Sequence, residues 1–204
     1  MKNQILIFLL FFPLPVTIFA ADLSTPAGHV RDSVNKVIAI LQDQSLDREA
    51  RWGKIGVIIN DRFDFRSMSQ SVLATNWKKA TPEERKRFVE FFSQYMEATY
   101  RNKIESYTNQ EVIITGESIR GKWAIVETKV VTDTTEIPVD YKLKDNNGTW
   151  YAYDVVIEGV SLVNNYRSTF ATIVNNDGME GLLNDIQKRV EIYKQENEAE
   201  PSGT

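Results

Sequence analysis

Apolar residues recur every three or four positions over the first half of the chain, and every second position over much of the second half. The first spacing is typical of one face of a helix, and the second of one face of a β-strand. Helices are predicted over residues 27–44, 48–61, 68–73, 82–107, 162–174 and 179–193. Strands are predicted over residues 112–115, 122–132, 137–144 and 149–157. Helices followed by a strand meander predict an α+β domain with a curved antiparallel sheet.

The predicted helix that begins near Thr81 has the clearest start and the most aromatic face. Thr81 is followed by Pro82 and then by Glu84, which is a capping-box sequence with proline at the first helical position. The apolar face of this helix consists of Phe88, Phe91, Phe92, Tyr95, Met96, Tyr100, Ile104 and Tyr107. Such a face suits a filled core and the wall of a cavity equally well, so the spacing leaves both interpretations open.

The segment from Trp150 to Phe170 joins an apolar strand to an apolar helix. It starts with aromatic and β-branched residues, breaks at Glu158-Gly159, and continues as an amphipathic helix that includes Tyr166. It contains no histidine, no cysteine and no nucleophile beside a base. We therefore expect this segment to form part of the wall of a large apolar interior.

Residues 1–20 have the layout of a secretory signal peptide. Lys2 precedes an apolar run from Ile5 to Phe12, and two prolines follow before Ala20, after which cleavage is expected. A membrane anchor is the alternative, although a spanning helix needs about 20 apolar residues without such breaks. The layout therefore favours export from the cytoplasm.

Export would leave one domain over residues 21–194 and a flexible acidic tail over residues 195–204. A domain of this size can bury roughly 70% of its unfolded surface and needs no disulfide to fold. The sequence contains no cysteine. An exported protein of this kind is expected in the bacterial periplasm.

The chain is mildly acidic, with 24 basic and 28 acidic residues and a formal net charge of −4. This balance argues against nucleic-acid binding and against non-specific adhesion to anionic lipid. Two basic clusters, Lys78-Lys79 and Arg85-Lys86-Arg87, lie around the start of the long helix. They are interpreted either as a solvated face or as a docking patch for an acidic partner.

Motifs for catalysis, metal binding or cofactor binding are missing from the sequence. The single histidine, His29, is expected at the surface, and without cysteine no zinc site is predicted. Residues 116–121 are interpreted as a hairpin turn and not as a nucleotide-binding loop. Asp154 and Glu158 remain as candidates, either as structural carboxylates or as a general-base site in a cupped sheet.

Five segments carry a family resemblance through their order and spacing. They are residues 76–85 (NWKKATPEER), 137–141 (IPVDY), 153–162 (YDVVIEGVSL), 165–168 (NYRS) and 177–182 (DGMEGL). In this combination the chain resembles the MlaC (toluene-tolerance) family of periplasmic phospholipid-binding proteins, over about residues 30–190. None of the segments is catalytic, and the N-terminal third and the acidic tail match least distinctly.

The resemblance implies an NTF2-like fold, in which helices pack on a strongly curved antiparallel sheet that encloses an apolar lipid cavity. It implies a soluble, monomeric periplasmic carrier, not an enzyme, with diacyl phospholipid as cargo and no cofactor. Such a carrier shuttles lipid between the inner and outer membranes in the Mla pathway and maintains outer-membrane lipid asymmetry. The implied partners are an outer-membrane lipoprotein–porin complex and an inner-membrane ABC transporter complex with a hexameric lipid-binding ring.

The expected lining of this cavity comes from the apolar faces of the long helix, the sheet and the helix after it. The lining residues are expected to be Phe92, Met96, Tyr100, Ile104, Val130, Val139, Tyr141, Tyr153, Val155, Val160, Tyr166 and Phe170. Two alternatives stay open. One is a periplasmic adaptor or chaperone that binds apolar protein or lipoprotein segments, and the other is a small-molecule isomerase that uses Asp154 or Glu158 with a tyrosine.

Overall fold

The computed structural model describes residues 22–107, 110–132 and 134–199. Its helices are α1 (Pro26–Gln42), α2 (Arg48–Arg62), α3 (Phe65–Leu73), α4 (Thr75–Lys79), α5 (Pro82–Glu105) and α6 (Leu162–Ala199). Its strands are β1 (Glu111–Arg120), β2 (Trp123–Val131), β3 (Glu136–Asn146), β4 (Thr149–Ile157) and β5 (Val160–Ser161). The predicted signal peptide lies outside the described residues.

The strands form one antiparallel sheet in the order β1-β2-β3-β4-β5, so each strand pairs with its neighbours in sequence. Because side chains alternate along a strand, one face of the sheet is buried under the helices. On β2 the buried residues are Ala124, Val126, Thr128 and Val130. This arrangement confirms the predicted α+β class, with helices packed on an antiparallel sheet.

The turn between β1 and β2 is shorter than predicted. The expectation of a turn over residues 116–121 is wrong, because β1 continues to Arg120 and only Gly121 and Lys122 separate it from β2. Gly121 has a φ of 60°, the left-handed conformation that such tight turns require. Gly116 instead lies at a register shift in β1, where a Cβ would come within 2.4 Å of Glu127 Oε2. Its role is close packing at a bulge.

The start of α5 confirms the predicted capping box. Thr81 Oγ1 accepts a hydrogen bond from the Glu84 amide at 3.2 Å, and Glu84 Oε2 accepts one from the Thr81 amide at 2.7 Å. These two bonds satisfy amide donors that have no partner inside the helix. They fix the point at which the longest predicted helix begins.

The C-terminal helix α6 is broken at Gly178, whose φ of 72° and ψ of −175° are not helical. This break separates the two helices predicted over 162–174 and 179–193. Beyond it the helix runs to Ala199, so the first five residues of the predicted flexible tail are helical. Asn197 Nδ2 anchors this end by donating a hydrogen bond to the Ala98 carbonyl at 3.0 Å.

A cluster of aromatic rings fills the interface between α5 and α6. Phe92 meets Tyr166 and Phe170 edge to face, with ring centroids 5.8 and 6.1 Å apart. Phe88 meets Phe170 in the same way at 6.0 Å. Edge-to-face pairs of this kind add to the stabilisation from burial. The first half of α5 therefore belongs to a filled core.

Candidate functional site

An apolar pocket of about 280 Å³ lies between the sheet and the second half of α5, next to α1 and α2. Its helical wall includes Val30, Val34, Val37, Ile38, Leu41, Ile55, Ile58, Ile59, Met96, Tyr100 and Ile104. Its sheet wall includes Val112, Val130, Ile137, Val139, Tyr141, Leu143, Val155 and Ile157. Hydrocarbon side chains thus face the pocket from both sides, and the site suits an apolar ligand.

The tyrosines of the pocket are neutral donors. Burial, together with nearby Tyr107, raises the pKa of Tyr141 to about 12. Burial also raises the pKa of Tyr100 above its usual value. Both hydroxyls therefore stay protonated at physiological pH and add no charge to the wall.

His29 corrects a prediction from the sequence. It was expected at the surface, but it is only 6% exposed and forms part of the pocket wall. Burial, with a smaller contribution from the charge of Arg62, lowers the pKa of His29 below its usual value. The imidazole is therefore held in its neutral form against an apolar space.

The structure brings seven of the twelve predicted lining residues together around the pocket. They are Met96, Tyr100, Ile104, Val130, Val139, Tyr141 and Val155. Met96, Tyr100 and Ile104 lie on successive turns of α5, and the other four residues lie on β2, β3 and β4. The register explains the sheet residues, because Val139 and Tyr141 pair with Ile157 and Val155 on one face.

Three of the other predicted residues lie in the filled core. Phe92, Tyr166 and Phe170 pack against one another between α5 and α6 and do not line the pocket. Helical spacing places an aromatic residue on the apolar face, but it does not say which neighbour covers that face. Here α6 covers the first half of α5.

The last two predicted residues face away from the pocket. A register shift between β3 and β4 leaves Tyr153 without a partner in the ladder. Its ring meets Trp123 at 5.1 Å, and Trp123 alternates with buried Ala124, so this contact lies on the outer face of the sheet. Val160, in the short strand β5, is 56% exposed.

The comparisons with known proteins agree with this architecture. The sequence model of the family described as "MlaC protein" matches residues 31–188. The chain belongs to the MlaC family. Within this family, the toluene tolerance protein ttg2D of Pseudomonas putida is 26% identical over 94% of this chain and 88% of its own length.

Two further similar proteins bear on the MlaC fold. The intermembrane phospholipid transport system binding protein MlaC of Haemophilus influenzae is 24% identical over 65% of this chain and 66% of its own length. The phospholipid-binding protein of Ralstonia solanacearum, solved in complex with a phospholipid, superposes with a TM-score of 0.75 at 22% identity. That match covers 82% of this chain and 98% of the Ralstonia protein, and it shows that the two share a fold.

Asp154 has a structural role in this MlaC-family chain. Its carboxylate accepts hydrogen bonds from Lys142 Nζ at 2.9 Å, from Ser161 Oγ at 2.7 Å and from the Val163 amide at 3.1 Å. These bonds tie β3 and β4 to the first turn of α6. Asp154 does not line the pocket, and Glu158 is exposed on the turn that follows β4. The arrangement favours the structural interpretation of this carboxylate.

The MlaC pocket owes much of its wall to α1 and α2, which the sequence did not assign to the site. The stripe Val30, Val34, Val37, Ile38 and Leu41 is visible in the sequence and predicts an amphipathic helix. It does not show that this stripe faces a pocket. The family resemblance was least distinct in this third of the chain, so it supplied no signal either.

Over residues 22–107, 110–132 and 134–199, no group of three or more histidine, aspartate or glutamate side chains is placed to hold a metal ion. In the same ranges, no helix combines the length and the apolar character needed to cross a bilayer.

Proposed function

We propose that this chain is a soluble periplasmic carrier of diacyl phospholipid, which moves lipid between the inner and outer membranes and maintains outer-membrane lipid asymmetry. The observation that carries this proposal is the apolar pocket between α5, α1, α2 and the sheet of an MlaC-family chain. The similarity of this chain to the binding protein of the intermembrane phospholipid transport system of Haemophilus influenzae supports it. The phospholipid bound to the Ralstonia protein of the same fold supports it further.

The physical requirement for such a carrier is a large apolar interior. A phospholipid has roughly 30 methylene groups, and at about 0.8 kcal/mol each its transfer from bilayer to water costs over about 20 kcal/mol. A carrier must replace most of that apolar environment without binding so tightly that it cannot release the lipid. Tyr100, Ile104, Val139 and Tyr141 would contact the acyl chains.

The pocket has to widen before it can hold two acyl chains. Its volume of about 280 Å³ is just below the range of roughly 300–1,000 Å³ that is typical of ligand pockets. Polar contacts between Asn60 and Glu97, and between Arg48 and Glu105, hold α2 to α5. These two helices would therefore separate together from the sheet when lipid enters.

The same proposal includes the two membrane partners. The carrier would exchange lipid with an outer-membrane lipoprotein–porin complex at one end of its path. At the other end it would meet an inner-membrane ABC transporter complex with a hexameric lipid-binding ring. A carrier of this kind needs no catalytic group and no cofactor besides its cargo.

The proposal is tested by native mass spectrometry of the chain, expressed with its own N-terminal segment and purified from the periplasm. We expect bound mass that disappears on organic extraction and resolves into diacyl phospholipids. A folded protein without extractable lipid would contradict the carrier function. Copurifying polypeptide in place of lipid would identify an adaptor. An isomerase would be identified by isomerisation of a small molecule that is lost in Asp154→Asn.

A further inference from the structure

A second cavity, separate from the apolar pocket, is a polar cleft of about 1140 Å³. It lies between the first half of α5, the junction of α2 and α3, and the turns at one end of the sheet. We call it the basic cleft. Its cationic lining residues are Arg66, Arg85, Lys86, Lys122 and Lys144.

The positive charge of the basic cleft is not neutralised by ion pairs. Among the described residues, none of its five cations forms a salt bridge with a carboxylate. Three acidic residues, Asp64, Glu90 and Asp145, also line the cleft, which leaves an excess of two positive charges. The whole chain carries a net charge of −4, so this excess is opposite in sign to the rest of the molecule.

Two of the three carboxylates already accept hydrogen bonds from their own turns. Asp64 accepts from the Ser67 amide at 2.8 Å and caps α3, and Asp145 accepts from the Gly148 amide at 2.8 Å. Their oxygens are therefore partly committed to the backbone. Asp64 and Asp145 are therefore only partly available to the cations of the cleft.

Two arginines of the cleft are held in place by Trp77. The guanidinium groups of Arg66 and Arg85 lie 5.8 and 5.6 Å from the Trp77 ring centroid. Arg85 Nε also donates to the Trp77 carbonyl at 2.7 Å, and its Nη2 donates to the Lys78 carbonyl at 3.1 Å. A charge that is already fixed loses little conformational entropy when a ligand binds.

We propose that the basic cleft is the docking site for an acidic segment of a partner polypeptide. Charge complementarity selects the partner, because carboxylate side chains are the best match for five cations that form no salt bridge among the described residues. The concave shape favours a polypeptide over a bilayer. Lys122 stands on the turn between β1 and β2 and Lys86 stands on α5, so the two cations border the cleft from different elements, as an extended polypeptide lying between them requires.

The basic cleft and the apolar pocket share part of their walls. Phe63 and Phe65 line both cavities, and their rings stack with centroids 5.8 Å apart. The chain between them is attached to the sheet, since the Asp64 amide donates to the Ala152 carbonyl at 2.8 Å. A segment in the cleft would therefore press on a wall of the pocket. This consequence for cargo rests on the proposed function, whereas the docking itself does not.

The test uses the chain without its predicted signal peptide and a short fluorescein-labelled peptide of alternating glutamate and serine, with a lysine–serine peptide as the reference. Fluorescence anisotropy measures binding at low salt and at about 0.3 M NaCl, where the Debye length falls below about 8 Å. We expect the acidic peptide to bind and the basic peptide not to bind. Binding of the acidic peptide should weaken as salt rises.

The decisive comparison is between two triple variants with the same change in net charge. Lys86→Glu/Lys122→Glu/Lys144→Glu reverses three charges in the cleft, whereas Arg31→Glu/Lys54→Glu/Lys188→Glu reverses three exposed charges elsewhere. We expect at least about a tenfold loss of peptide affinity in the first and less than about twofold in the second. Circular dichroism confirms folding, and Lys122→Glu alone, on an exposed turn, serves if the triple variant unfolds.

Three results would overturn the docking site. Equal losses in the two triple variants would show general electrostatic attraction. No binding of the acidic peptide, with binding to phosphatidylglycerol vesicles, would identify a membrane surface. No binding to either would show a solvated face. Lipid content, measured by native mass spectrometry on the same samples, separates this test from the proposed function, because the cleft variant should keep its lipid.

Discussion

The rings of Phe92 and Phe170 meet edge to face at 6.1 Å and join α5 to α6 in the filled core, outside the lining of the apolar pocket. Met96 lies one helical turn beyond Phe92 on the same face of α5, and there the face becomes part of the pocket wall. A single apolar stripe therefore serves two purposes along one helix. The difference lies in what packs against it.

This division predicts unequal effects of truncation along α5. Phe92→Ala should lower the free energy of unfolding by about 3–5 kcal/mol, because it leaves a cavity in a filled core. Ile104→Ala enlarges a space that already exists and should cost less than about 2 kcal/mol. Urea unfolding of both variants checks the prediction. Equal losses would show that Ile104 is packed as tightly as Phe92.

If the proposed function is correct, filling the pocket should remove the bound lipid without unfolding the protein. Val139→Trp adds a large ring to the sheet wall, next to Tyr141 and Ile157, and should leave little space for an acyl chain. Lipid content by native mass spectrometry should fall about tenfold or more. Ile125→Trp, on the exposed face of the neighbouring strand, is the matched control and should keep its lipid. Unchanged lipid in Val139→Trp would remove this residue from the site.

The carboxylate of Asp154 should contribute to the free energy of unfolding, and we expect no catalytic role for it. Asp154→Ala leaves Lys142, Ser161 and the Val163 amide without their acceptor. We expect a loss of about 2–4 kcal/mol in the free energy of unfolding. Glu158→Gln, on the exposed turn, should change it by less than about 0.5 kcal/mol. A neutral effect of Asp154→Ala would contradict the role in anchoring α6.

His29 should make the protein less stable in mild acid. Its pKa is lowered in the folded state, mainly by burial, so protonation favours the unfolded chain as the pH falls below about 6.5. Melting temperatures at about pH 7.5 and pH 5.5 should therefore differ less in His29→Phe than in the wild type. Since the sequence has one histidine, its proton resonance can be titrated without assignment. A midpoint above about 6.5 would refute the prediction.

Glu97 should act in the opposite sense. Burial raises the pKa of Glu97 in the folded state. The folded protein therefore becomes less stable as the pH rises from the pKa of Glu97 in the unfolded chain to its higher pKa in the folded protein. Glu97→Gln keeps an acceptor for Asn60 and removes the buried charge. At neutral pH it should raise stability by less than about 1 kcal/mol, because water still screens this carboxylate. Thermal unfolding across pH 4–8 measures the change.

A flattened pH profile in Glu97→Gln would confirm this cause. Glu90→Gln is a suitable control, because Glu90 is exposed on the same helix and lines the cleft instead of the pocket. It should leave the profile unchanged. A loss of stability in Glu97→Gln would show that the hydrogen bond from Asn60 depends on the negative charge.

The sequence by itself determined the local elements and the class of the fold. The capping box at Thr81 and Glu84 placed the start of α5, and Gly178 separated the last two helices, because both act within a few residues. The alternation of Val139, Tyr141 and Leu143 with polar residues placed one face of β3 against the helices. Local sterics and hydrogen bonding decide such features.

Only the tertiary structure decided which apolar faces meet each other and which enclose a space. Phe92 in the core and Tyr100 at the pocket are both stabilised by the loss of exposed hydrocarbon surface. Both therefore belong to the same apolar stripe in the sequence, and the stripe does not distinguish core from pocket. The bulge that turns Tyr153 outward depends on pairing with β3, and the burial of His29 depends on the packing of α1 over the sheet. Contacts between residues far apart in the chain set these positions, and no local pattern records them.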